Sequence, residues 1–280
     1  MKPYKRGNPI AVLGMSGVGK TRIASMLRAE ERWFHYSVDY RIGTRYMDEA
    51  IEDNFKREAM KAPLLRELLL SDSIYISSNI TFDNLSPLST YLGKPGDPAK
   101  GGIPFDDYVR RQREHREAEI RAMLDTPLFI EKARTIYGYE HFICDTSGSI
   151  CEVVDPADKN DPVLTALSAH CLIIYIEGDE AHKDALKARF DKAPKPMYYN
   201  EEFLRRVWSQ YLKETGVTES KVDSDAFIRW AFAQLIDWRA PRYEAIAKNW
   251  GVKISARDVE KVKTSDDFLA LADAAVKTQH

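Results

Sequence analysis

Pro9-Ile-Ala-Val-Leu13-Gly14-Met-Ser-Gly-Val-Gly19-Lys20-Thr21 is the stretch from which the fold can be read. Its first part, Pro9 to Leu13, is a short apolar run of strand character. Its second part fits G-x-x-x-x-G-K-[ST], and beyond it Lys20 to Arg28 carries Ile23, Met26 and Leu27 at helical spacing. Strand, glycine-rich loop, helix is the context that this motif requires. Gly14, Gly17 and Gly19 let backbone N–H groups converge on phosphate oxygens, and the helix N-terminus adds positive potential. Ser16 and Val18 complete the loop. In such a loop Lys20 bridges the β- and γ-phosphates of ATP, and the Thr21 hydroxyl ligates Mg²⁺.

Working outward, four more short apolar runs read as strands: Phe34 to Val38, ending at Asp39; His141 to Cys144, ending at Asp145; Cys171 to Ile176; and Val252 to Ser255. Helical patterns lie between and after them, among them 105–124, Glu180 to Phe190 and Ser265 to Val276. Strands alternating with helices predict an α/β protein with a parallel sheet covered on both faces. Two stretches interrupt the alternation and read as insertions in a single domain spanning 1–280. Residues 40–104 hold a charged helix around Tyr46 to Leu70, a β-like Ser73 to Thr81 and a Pro/Gly loop, Gly93 to Gly102. Residues 198–234 hold a helix from Glu201 to Leu212, a polar turn, and a helix start capped near Asp223 or Ser224.

Composition sets the bounds. With 280 residues, 44% of them hydrophobic and 30% charged, the chain has ample material for a core and is not of disordered type. Forty-one Lys and Arg against 43 Asp and Glu leave a net charge of -2, so no global field draws in nucleic acid or an anionic membrane. The N-terminal Met1 to Gly7 is basic, but the apolar run after it is too short for an export signal, and no run approaches a membrane span. Three cysteines without CxxC spacing support neither a disulfide framework nor a zinc cluster, and fit a reducing cytoplasm.

Several polar residues sit where chemistry would need them. Asp145 closes an apolar strand, as a carboxylate holding Mg²⁺ through water would; capping the next turn is the plainer alternative. The small-residue turn Thr146-Ser-Gly148-Ser149 follows, where a ligand could approach the backbone closely. Asp39 also ends a strand, and open α/β sheets bind ligands at the carboxyl ends of their strands. It could orient or deprotonate an acceptor hydroxyl. Arg116 falls on the apolar stripe formed by Val109, Ile120 and Met123, with Glu119 as partner and guanidinium donors to spare for an anion. Arg189 and Lys195 flank a loop that could close over the transferring group. Pro241 predicts a helix junction that holds Arg239, aimed into a cleft.

Taken together, these segments resemble the shikimate kinase family of small P-loop kinases. The correspondence runs in order through Gly14 to Thr21, Asp39, Arg116-Glu-Ala-Glu119 for an F-R-x-x-E motif with His115 in place of Phe, Thr146-Ser-Gly148 for a glycine triplet, Arg189 with Lys195-Pro-Met197 for a lid, and Arg239-Ala-Pro-Arg-Tyr243 for R-x-P-x-Y. It covers roughly residues 1–39, 105–197 and 235–280. The resemblance implies a three-layer P-loop NTPase fold of nucleoside-monophosphate-kinase type, with five parallel strands in the order 2-3-1-4-5. It also implies roles: Asp39 activates the acceptor hydroxyl, Arg116 and Arg239 hold its anionic group, Gly148 lines its pocket, Arg189 packs near adenine and Lys195 belongs to the lid. One glycine stands for three, Ser37 replaces the first carboxylate of a D-x-D pair, and Lys195 replaces a lid arginine. These departures point away from shikimate as the acceptor and put Asp145 in the place of the missing carboxylate.

The expectation is therefore a cytoplasmic Mg-ATP kinase acting on a hydroxyl of a small, anionic metabolite. An ATPase or nucleotide-dependent switch with a protein partner is the alternative, and it would not need Asp39, Arg116 and Arg239 together. A polynucleotide 5′-hydroxyl kinase is a third reading, disfavoured because 40–104 balances basic against acidic residues and offers no basic stripe.

Overall fold

The computed structural model describes Lys5 and residues 7–30 and 32–279. The basic stretch Met1 to Gly7 lies almost wholly outside the described residues. In chain order, β1 (Ile10–Leu13) leads into α1 (Lys20–Ala29), β2 (Trp33–Ser37) and a short α2 (Val38–Arg41), which runs on as one π-helical turn at Ile42–Tyr46. Then follow α3 (Asp48–Ala59), α4 (Pro63–Leu70), α5 (Ser86–Leu92), α6 (Phe105–Leu124), α7 (Thr126–Thr135) and β3 (His141–Asp145). The remainder comprises α8 (Ile150–Val153), α9 (Pro162–His170), β4 (Leu172–Glu177), α10 (Glu180–Lys192), α11 (Glu201–Thr215), α12 (Ser224–Trp250), β5 (Val252–Ser255), α13 (Ala256–Lys261) and α14 (Ser265–Gln279).

The five strands form one parallel sheet, as their alternation with helices predicts, in the order β2-β3-β1-β4-β5 that the family resemblance implies. Both faces of its centre are covered: all four residues of β1 are fully buried. The register sets Val12 and Ser37 beside Asp145 and Leu13 beside Tyr175. The carboxyl ends of β1, β2, β3 and β4 therefore open on one edge, and Gly14, Asp39, Thr146 and Gly178 all leave from it. Side-chain caps start many of the helices at fixed places. Ser37, Asp161, Asp179, Asn200, Asp223 and Ser255 each accept a first-turn backbone N–H. The buried apolar residues form one contiguous cluster from Ile10 to Ala272. Among the described residues, no helix is long and apolar enough to cross a membrane.

Three elements depart from expectation. The charged helix around Tyr46 to Leu70 is divided: Pro63 starts α4, and Ala62 before it is extended at ψ 120°. The β-like Ser73 to Thr81 forms no strand, because no other strand lies alongside it. Ser78 is held instead by side chains of α3, its Oγ donating to Asp48 at 2.8 Å and its backbone N–H to Glu52 at 3.2 Å. Pro241 makes no junction either, since α12 runs through it for 27 residues. Gly93 to Gly102 is the loop expected. Its Gly102 packs so closely on the first turn of α12 that an added Cβ would lie 2.6 Å from Ser224 Oγ and 2.5 Å from the Gly96 backbone.

Candidate active site

The glycine loop occupies the sheet edge between β1 and α1. Gly14 has φ +147°, and a Cβ there would meet the Ile176 carbonyl oxygen at 2.6 Å, so the loop can leave β1 only through glycine. Gly19 enters α1 in the left-handed conformation at φ +101°. Val18 is buried and packs against Gly14 and Gly178, which pins the middle of the loop to the end of β4. Lys20 is buried too, and its Nζ donates to the carbonyls of Gly14 at 2.8 Å and Met15 at 3.1 Å. Burial lowers its pKa, against the pull of Asp145 and Asp39.

Across from the loop, Asp39, Asp145 and Gly148 close a cleft of about 350 Å³, lined on the near side by Ser16, Lys20 and Thr21. Asp39 stands in the first turn of α2 rather than at the strand end, and α2 is capped by Ser37, whose Oγ accepts from Tyr40 N–H at 3.3 Å. Its pKa is pushed up to about 6, first by burial and then by the like charge of Asp145, while Lys20 and Lys195 pull it down. Lys195 is thus brought within electrostatic reach of Asp39 although its own side chain is exposed. Arg189, on the last turn of α10, lies over the loop: one guanidinium nitrogen is 3.1 Å from where a Cβ of Gly17 would stand. The Asp145 carboxylate is buried, lines the cleft, and makes no hydrogen bond among the described residues.

The expected arginine pair is placed otherwise. Arg116 is exposed and forms no hydrogen bond or ion pair with a described residue. The inner face of α6 is offset from the apolar stripe because polar side chains share it: Gln112, His115 and Glu119 are all buried. Glu119 does not serve Arg116. Ser147 and Ser149 donate to its carboxylate, the latter at 2.9 Å, and burial raises its pKa to about 8. Burial likewise lowers His115, 3.6 Å from Glu119, to about 4.

Arg239 is buried and each of its three guanidinium nitrogens is hydrogen-bonded within the protein. It pairs with the buried Glu152 and donates to the carbonyls of Gly148 at 2.7 Å and Tyr198 at 3.1 Å. One turn on, the Tyr243 hydroxyl lies 2.9 Å from the Gly148 carbonyl and 3.2 Å from that of Gly14. Arg239 therefore acts as a tie between α12, α8, the 146–149 turn and the segment after Lys195, and not as a ligand-facing cation. Breaking such a buried pair costs about 3–5 kcal/mol.

The chain matches no protein-family model and no curated protein. The functional reading accordingly rests on the cleft itself. Sequence reasoning missed Ser147 and Ser149 as the partners of Glu119, and Glu152 and Tyr198 as those of Arg239. The run Thr146 to Ser149 was noticed for its small size. Its hydroxyls gain meaning only once a buried carboxyl from another helix is seen beneath them.

Proposed function

We propose that the protein is a P-loop phosphotransferase that moves the γ-phosphoryl group of ATP to a hydroxyl of a small acceptor. The observation that carries this reading is the facing of the glycine loop and Lys20 against Asp39 and Asp145 across one cleft. The resemblance to shikimate kinases supports it, with the sheet order 2-3-1-4-5 in agreement. In this reading the loop amides and the helix N-terminus take the phosphates, and Lys20 turns from the Gly14 and Met15 carbonyls to the β- and γ-oxygens. Asp39 accepts the hydroxyl proton as the acceptor oxygen bonds to the γ-phosphorus. The bond from that phosphorus to the β,γ-bridging oxygen breaks, and ADP leaves with the electron pair. Arg189 and Lys195 neutralise charge and exclude water from above. Thr21 and Asp145 fit Mg²⁺, since the Asp145 carboxylate has no internal hydrogen-bond partner and faces the cleft; the ion would supply further charge neutralisation on the phosphates. Three buried free thiols suit a reducing cytoplasm.

The commitment of Arg239 to Glu152 and the outward placement of Arg116 weaken the case for an anionic acceptor. They favour, as the second reading, an ATPase or switch in which water is the attacking group. One screen separates the two. ADP release is measured with hydroxylated acids, sugars, nucleosides and polyol phosphates, on the wild type, Asp39→Asn and Lys20→Ala. A phosphotransferase gives acceptor-dependent ADP that falls at least a hundredfold in Asp39→Asn. ADP release indifferent to every acceptor and to Asp39→Asn, but lost in Lys20→Ala, establishes the ATPase. Undiminished release in Lys20→Ala sinks both.

A further inference from the structure

His35, on β2, is buried, and neither of its ring nitrogens has a hydrogen-bond partner. Its Nε2 stands 3.8 Å from Asp145 Oδ2. On the other side the ring lies against Phe82, with centroids 4.9 Å apart; Phe82 stacks on Tyr40 at 4.8 Å and lies under the Arg28 guanidinium at 5.0 Å. Tyr40 is the neighbour of Asp39. Phe82 belongs to the 40–104 insertion, in a segment without regular structure, and its ring packs that segment on His35 of β2. A buried donor left unpaired costs about 1–3 kcal/mol, so an imidazole with two unpaired nitrogens needs a reason to be there. The carboxylate nearest to it also lacks a hydrogen-bond partner. Closing the gap between them takes only about 1 Å.

We propose that His35 is a positioning residue for Asp145: with the proton on Nε2 it donates to the carboxylate and fixes the orientation in which Asp145 meets the cation carried by the nucleotide. Phe82 keeps the ring at that angle. The insertion thereby gains a role in the cleft, delivered through Phe82 and His35. Outer hydrogen bonds of this kind are worth about 10–100-fold in metal affinity. The inference rests on the reading of Asp145 as the metal-side carboxylate.

The test is calorimetric titration of ADP, with and without Mg²⁺, so that the tightening produced by Mg²⁺ is read directly and no turnover is needed. In His35→Ala, ADP affinity without Mg²⁺ stays at the wild-type value and the tightening falls about tenfold. His35→Gln, whose amide N–H reaches a similar place, recovers most of it. Phe82→Ala weakens the tightening in the same direction by a smaller factor, and serves with His35→Gln if His35→Ala does not fold. Equal Mg²⁺ tightening in wild type and His35→Ala overturns the assignment while leaving the phosphotransferase reading standing. So does a His35→Gln no better than His35→Ala. ADP binding by the wild type that neither Mg²⁺ nor Lys20→Ala alters removes the phosphotransferase reading, and the His35 assignment with it.

Discussion

Glu119 shows how a single buried side chain can govern the response of this protein to pH. Folded, it holds its proton up to about pH 8, whereas an unfolded chain releases it near 4.5. The folded state binds more protons across that interval, so stability falls as pH rises through it. His115 opposes this below 6.5, because burial keeps it neutral down to about 4 while the unfolded chain takes up a proton. Asp39 adds to the Glu119 trend only up to about 6. His182, whose pKa is raised by its bond to Asp179, loses its contribution as pH rises through that raised value, so comparison with a variant is needed to isolate Glu119. Glu119→Gln keeps hydrogen-bonding capacity towards Ser147 and Ser149 and removes the ionisation. Urea unfolding should show the variant gaining on the wild type by up to about 2 kcal/mol between pH 6.5 and 8. A difference independent of pH would show that Glu119 ionises normally. None of this was legible beforehand. Arg116 was assigned to the inner face of α6 by apolar spacing, but that face is shared: beside Val109 and Met123 it buries Gln112, His115 and Glu119, which are polar and invisible to such a pattern.

Among the elements, the strands were the most legible. β1 and β4 are near-continuous apolar runs ending at a glycine, the mark that central strands buried on both faces leave in the sequence, and all five strands lie within a residue of their expected limits. The glycine loop and its helix were equally plain. Ser73 to Thr81 misled because alternation signals a half-buried surface, and a strand also needs a neighbour. Pro241 misled because the local penalty of proline was weighed without the contacts of its neighbours. Arg239 and Tyr243, on either side of it, are both buried and bonded to the 146–149 turn, which holds α12 continuous. Those contacts make α12 sensitive at its middle. Arg239→Met should lower stability by about 3–5 kcal/mol, with Glu152 left buried without its cationic partner, and the double variant with Glu152→Met should recover much of that loss. Chemical denaturation of the two variants checks both figures, and a mild effect in the single variant would mean that Glu152 finds another partner.

For the molecule as a whole, the single cluster from Ile10 to Ala272 predicts one cooperative thermal transition, with calorimetric and van't Hoff enthalpies in agreement. Two separated transitions would show that the 40–104 insertion melts by itself. α12 is the member that makes such independence improbable on mechanical grounds. Its first turn bears on Gly96 and Gly102 of the insertion, its middle holds Gly148 and Gly14 at the cleft, and its last turn donates from Asn249 and Trp250 to the Pro156 carbonyl. A 27-residue helix is about 40 Å long. Held at three places along that length, α12 connects the insertion to the cleft and to the Pro156 segment. If the proposed nucleotide site is correct, amide-exchange protection gained at the glycine loop on adding ADP should be accompanied by slower exchange at Gly96 and Gly102, and unchanged exchange at those two glycines would show that α12 does not couple them to the cleft.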